Sequence, residues 1–171
     1  MLSRRQGRRD LRRQCEAMLA DLGLARLFDL DELIEAVSHK RRRPLRVRPL
    51  PTSAASGMPC GVWVALEHED VLLVDQGATG VHREHIFLHE LAHILCGHEG
   101  DAASRTGVAE LVPDLAAQTV GVMLGRTTYD SAEEREAEAL ATMLGTFLVP
   151  HGKWSPEARP TVEELSRTLG F

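Results

Sequence analysis

His89 and His93 stand four residues apart, with Glu90 between them, in the run HREHIFLHELAHILCGH. A helix turns once in about 3.6 residues, so side chains four apart stack on one face and both imidazoles can reach a single cation. Glu90, one step round the helix, can face a water on that cation and take its proton. This is the spacing of a zinc hydrolase helix, and it needs a third ligand. His98 is the nearest candidate. A third histidine on the same stretch requires His-x-x-x-His-x-x-Gly-x-x-His, however, and here Cys96 holds the glycine place and Glu99 the histidine place. The other solution is a carboxylate from a later helix, and EEREAEALA at 133–141 offers Glu134 and Glu138, again four apart. Glu134 is read as the metal ligand, and Glu138 as the acceptor of a hydrogen bond from a ligand histidine. Runs of Glu and Arg usually form a solvated face; the upstream His-Glu-x-x-His gives this run a metal to serve.

The elements that must position these residues follow from periodicity. Ile86, Phe87, Leu88, Leu91, Ala92, Ile94 and Leu95 wrap most of the circumference of the motif helix, which therefore sits centrally, and Gly97 ends it. Upstream, LRVRPLP, GVWVAL and VLLVD predict three strands at 45–50, 61–66 and 71–75, the second and third joined as a hairpin by the polar turn EHED. Two helices precede them. The first is expected from about residue 9 to 23, with its Arg-rich start frayed, and the second over DELIEAVSHK, capped by Asp29 or Asp31 and stopped by Pro44. Residues 113–124 carry an apolar helical pattern, Ser131 with Glu134 opens a long helix to about Phe147, and a short helix is expected in TVEELSRTLG. Sheet packed on helices, an α+β architecture, is the predicted fold class. The division is a basic helical segment 1–43, a core 44–150 and a tail 151–171.

At 171 residues, 43% hydrophobic and 26% charged, the chain suits one soluble catalytic or binding domain with an appendage. Cys15, Cys60 and Cys96 are an odd number without a CxxC pair, which argues against a disulfide framework and for a reducing cytoplasm. No apolar run approaches the roughly 18–20 residues of a membrane span, and no signal-peptide pattern follows the basic start, so no membrane partner is expected. Residues 1–50 hold 13 Lys+Arg against 7 Asp+Glu, and residues 51–171 hold 7 against 18. A basic front can meet an acidic partner, including nucleic acid, although a solvated basic face is the commoner outcome. As a DNA-reading helix-turn-helix, the first two helices lack the turn glycine, and the second helix is acidic.

HELAHILCGH followed by the helix EREAEALA resembles the ImmA/IrrE family of zinc metallopeptidases. The family pattern is a His-Glu-x-x-His helix, then Glu-x-x-Ala-Asn/Asp with Phe-Ala soon after, and a Leu-Leu-Met-Pro ending. PCGVWVAL, the HREHIFLHELAHILCGH run and LGRTTYDSAEEREAEALA are also similar to small actinobacterial proteins of toxin-like or regulatory type. Glu138 stands at the Asn/Asp place, Leu140 at the Phe place, and Leu-Val-Pro at 148–150 falls later than in the family. The resemblance implies a zincin-like domain in which a small three-stranded sheet packs on the His-Glu-x-x-His helix and a second metal-ligand helix. It implies Zn2+ held by His89, His93 and Glu134, with Glu90 as catalytic base. Its implied substrate is a protein, a helix-turn-helix transcriptional regulator. Peptide hydrolysis also needs a donor for the tetrahedral oxyanion. Tyr129, the only tyrosine, leads the candidates, with Arg126 and His98 as rivals. The contrasting function is a non-catalytic, zinc-containing regulatory or toxin-antitoxin-like module binding a protein or DNA. In that module His98 or Cys96 would close the site as a fourth ligand.

Overall fold

Chain direction is set locally before it is set by packing. Asp29 accepts from the Glu32 N–H at 2.8 Å, and Glu32 accepts from the Asp29 N–H at 2.9 Å. This capping box starts helix α2, Leu30–Arg41, and settles the choice between Asp29 and Asp31. The helix closes on Arg42, whose φ of 55° is left-handed, and the chain turns into strand β1, Leu45–Leu50. The computed structural model describes residues 2–24, 28–50, 60–98, 119–124 and 131–149. Helix α1 runs Leu2–Asp21, so it begins seven residues before the expected start. Arg, Gln and Leu are good helix formers, and one glycine, Gly7, does not outweigh them.

Strands β2, Gly61–Leu66, and β3, Asp70–Asp75, form the expected antiparallel hairpin, with Trp63 opposite Leu72. β1 lies parallel to β3, from Leu45 opposite Asp70 to Leu50 opposite Asp75. Pro49, which has no N–H to donate, is tolerated because β1 is an edge strand. The three expected strands are joined by a fourth. Residues 119–124, read from sequence as the end of a helix, form β4, Thr119–Leu124, antiparallel to β2. The small mixed sheet therefore has the order β1-β3-β2-β4, with a register shift between Ala65 and Leu66 where β4 meets β2. β2 left without β4 would expose a row of backbone donors and acceptors, and pairing them overrides the helical appearance of the segment.

Helix α3 is Gly80–Cys96 and helix α4 is Ser131–Gly145. Trp63, Leu72 and Val74 on one face of the sheet share a buried cluster with Phe87, Leu88 and Leu91 of α3 and Ala137, Leu140, Ala141 and Leu144 of α4. Cys15 and Leu19 of α1 and Leu33, Ile34 and Val37 of α2 belong to the same cluster. The small Ala137 and Ala141, both fully buried, bring α4 close to α3. The opposite face of the sheet buries Leu50, Val62, Val64, Leu66, Val71 and Leu73 as a second cluster. Phe28 bridges Leu148, which ties the approach to α2 to the chain just after α4. The tail helix expected within 161–170 lies outside the described residues. Among those residues no helix is long and apolar enough to cross a membrane.

Candidate metal centre

Helix α3 carries the two histidines one turn apart, His93 buried and His89 partly so, and its end shapes their surroundings. Gly97 takes a left-handed φ of 72°, which glycine adopts without a Cβ penalty. The Gly97 N–H then bonds the Ile94 carbonyl at 3.2 Å, and the His98 N–H bonds the His93 carbonyl at 3.1 Å. This is the double bond of a Schellman stop, and it lays the residue after the glycine back over the last turn. A hydrophobic contact is usual there. Here two imidazoles meet, His93 Nδ1 and His98 Nδ1 at 3.0 Å.

Helix α4 brings its carboxylates to the same place. Glu134 Oε2 is 3.6 Å from His89 Nε2, and Glu134 Oε1 is 3.5 Å from His93 Nε2. The two Nε2 atoms are 3.2 Å apart. Donor atoms of His89, His93 and Glu134 all lie within 4.8 Å of one another, a group able to hold a metal ion. Behind it, Glu138 Oε2 lies 3.3 Å from His89 Nδ1 and 3.1 Å from His85 Nε2. Burial acts to raise the Glu138 carboxyl, but hydrogen bonds and charge from His85 and His89 outweigh it and hold the group below the usual range.

The hydrogens follow from these partners. An ionised Glu138 only accepts, so His89 carries its hydrogen on Nδ1 and offers a lone pair at Nε2. In the tautomer that can bind a cation at His93 Nε2, His98 carries its hydrogen on Nε2, on the side of Glu136 Oε2 at 3.6 Å, and His98 Nδ1 accepts from His93 Nδ1–H. The Nε2 lone pair of His93 then faces that of His89. Burial, then the neighbouring His89 and His98, push the pKa of His93 down to about 3, so this ring stays neutral. Two lone pairs and a carboxylate converge on one point.

Glu90 completes the arrangement from below. It is 2% exposed, and burial together with the charge of Glu134 raises its carboxyl to about 8, against a hydrogen bond from the Trp63 backbone that lowers it. Glu90 fits beneath α3 because residue 61 is glycine. A Cβ there would lie 2.8 Å from Glu90 Cγ and Oε1 and 2.7 Å from Ile86 Cγ2. Sequence reasoning did not single out Gly61, although a glycine at the head of an apolar strand is the usual sign of a close approach. His89, Glu90 and Glu134 open on a cavity of about 790 Å3 whose walls include Leu11, Cys60, His82, His85 and Met143. Cys96 and His98 do not join the first donor group; with Glu136 they form a second one. Tyr129 and Arg126 lie outside the described residues.

The donor set fits a divalent cation. Among the described residues, Glu90 Oε2 and Glu134 Oε1 are buried atoms without a hydrogen-bond partner, and a buried carboxylate oxygen in that state is costly. A cation between the two Nε2 atoms and Glu134 relieves the facing lone pairs and offsets the charge of both carboxylates. No family model, curated protein or solved structure matches this chain.

Proposed function

We propose that the chain is a zinc-dependent metallopeptidase of the ImmA/IrrE type, with a zincin-like arrangement of α3 and α4, that cleaves a peptide bond in a protein. The observation that carries this reading is Glu90: a buried carboxylate with one oxygen unpartnered among the described residues, raised to about 8 in the metal-free chain, beside the three-donor group. A purely structural metal site needs no general base. It is also usually closed by a fourth protein ligand, whereas Cys96 and His98 group with Glu136 instead.

His89 Nε2, His93 Nε2 and Glu134 would hold the zinc, which when bound polarises the scissile carbonyl and makes water acidic near neutral pH. Glu138 fixes the ring of His89, and His98 fixes that of His93, so both keep their lone pairs on the metal side. Glu90 takes a proton from the attacking water and returns it to the leaving amine, its buried place beside the donor group holding it against that water. Tyr129 is the proposed donor to the oxyanion. The sequence resemblance supplies the partner class, a helix-turn-helix regulator cleaved in the cytoplasm. The basic helix α1 and the acidic helix α2 are better read as packing and protein-docking elements than as DNA readers.

The test is cleavage of a helix-turn-helix regulator of the same organism by wild type and by Glu90→Gln, with zinc content measured in both. Zinc should be retained and cleavage should fall by about 10²- to 10⁴-fold. Equal cleavage, or none in either protein with zinc fully bound, would sink the peptidase reading.

A further inference from the structure

Cys96, His98 and Glu136 have donor atoms within 4.8 Å of one another. They come from the last residue of α3, the residue just after its stop, and an outward position of α4. His98 is 8% exposed, and its Nε2 lies 3.6 Å from Glu136 Oε2. Burial, then the charge of Glu136, push the Cys96 thiol up to about 11, so without a cation the sulfur keeps its hydrogen. A thiol, an imidazole and a carboxylate form a mixed soft, borderline and hard donor set of the kind zinc accepts.

The two donor groups meet at one hydrogen bond, His93 Nδ1 to His98 Nδ1, 3.0 Å. That bond holds one hydrogen. When His93 gives its Nε2 lone pair to a cation, its hydrogen is on Nδ1, His98 accepts it, and His98 Nε2 carries a hydrogen in place of a lone pair. When His98 gives its own Nε2 lone pair to a cation, the hydrogen in the bond belongs to His98. His93 then accepts at Nδ1 and carries its hydrogen on Nε2, the atom that faces His89.

We propose that Cys96, His98 and Glu136 form a second site for a thiophilic divalent cation such as zinc, and that its occupancy opposes occupancy of the His89–His93–Glu134 site. Binding forms bonds from the cation to Cys96 Sγ, His98 Nε2 and a Glu136 oxygen, and the Cys96 hydrogen leaves to solvent. The opposition lies in the single hydrogen between the two Nδ1 atoms, which allows one Nε2 lone pair at a time. This proposal is independent of the peptidase reading, because it concerns binding alone.

The experiment is a cobalt(II) titration of the metal-free full chain, followed by absorption. Histidine and carboxylate ligands give weak visible bands, whereas a thiolate ligand adds an intense near-ultraviolet charge-transfer band. In wild type that band should grow only after the first equivalent has bound. Cys96→Ser should abolish it and leave the weak bands. Glu136→Gln, at an exposed position that does not endanger folding, should move its growth to higher free cobalt. His89→Ala, which cripples the first site without touching the second, should move it to lower free cobalt by about tenfold. No charge-transfer band in wild type at any cobalt ratio overturns the site. So does a band that survives Cys96→Ser and disappears in Cys60→Ser, which would assign the thiolate to the first cavity. An unchanged midpoint in His89→Ala overturns the opposition.

Discussion

Asp70 and Glu90 are both buried carboxylates, and both are bonded to Trp63. Asp70, fully buried, takes the Trp63 indole N–H at 3.1 Å on one oxygen and, on the other, Arg41 Nε at 2.7 Å and Arg43 Nε at 3.4 Å. Arg41 also stacks over the Trp63 ring, 5.4 Å from its centroid. Glu90 takes the Trp63 backbone hydrogen bond, but its charged neighbour is a second carboxylate, Glu134. Among the described residues, the ion-pair partners of Glu134 are two histidines, one of which is held neutral. The sheet thus carries one acid neutralised from within the chain, while α3 and α4 carry a pair that, among the described residues, is not. The first is architecture. The second has the charge balance of a centre that expects a cation from outside.

Removing charge should therefore have opposite effects at the two centres. Asp70→Asn keeps the volume but takes the carboxylate charge from Arg41 and Arg43, although Arg43 keeps the Leu66 and Glu69 carbonyls, and it should cost roughly 3 kcal/mol of stability with metal affinity unchanged. Glu134→Gln should leave the metal-free protein as stable as wild type or more so, while lowering zinc affinity at least tenfold. Urea unfolding of chelated samples, paired with zinc competition, reads both. Loss of stability in both metal-free variants would erase the distinction.

A smaller effect is expected at Gly61. Gly61→Ala places a methyl against Glu90 and Ile86 at under 3 Å, which should cost about 1–3 kcal/mol and displace the base. Cleavage should drop while zinc stays bound. Full activity in this variant would show that Glu90 does not depend on the space above β2.

The subtlest contrast is in pH. In metal-free protein Glu90 is raised from 4.5 to about 8. Between those values the folded state holds a proton that the unfolded chain has released, so stability falls as pH rises. His93 is lowered from 6.5 to about 3; between those values the unfolded chain holds the extra proton, and stability rises with pH. The two oppose each other from pH 4.5 to 6.5. Chelated protein should show a stability plateau there and a decline from pH 6.5 to 8, and Glu90→Gln should abolish the decline. A melting temperature that climbs through that upper window would contradict a protonated, buried Glu90.

The site was more legible in the sequence than the fold around it. His89, Glu90 and His93 are fixed by helical spacing alone, a property of adjacent residues. Glu134 was reachable because a hydrolytic metal needs one more ligand and a later helix offered a carboxylate. His98 was weighed only as a ligand or an oxyanion donor, since its contact with His93 depends on the left-handed turn at Gly97. The sheet was harder. β4 hides in a segment whose apolar residues suit either period, and the valines flanking Gly121 gain a strand partner only once β2 offers a free edge. The parallel pairing of β1 with β3 depends on chain path, on which local composition is silent. The charge pairing at Asp70 spans 29 residues to Arg41 and has no short-range signature.

The stop at Gly97 also makes helix α3 a ruler. Its final turn sets both where the helix ends and which way His98 faces, so length and ligand orientation cannot vary separately. One residue inserted between Ile94 and Gly97 would swing the following ring by about 100° around the axis, away from His93. The end of this helix should therefore resist insertion and deletion even where its individual side chains accept replacement.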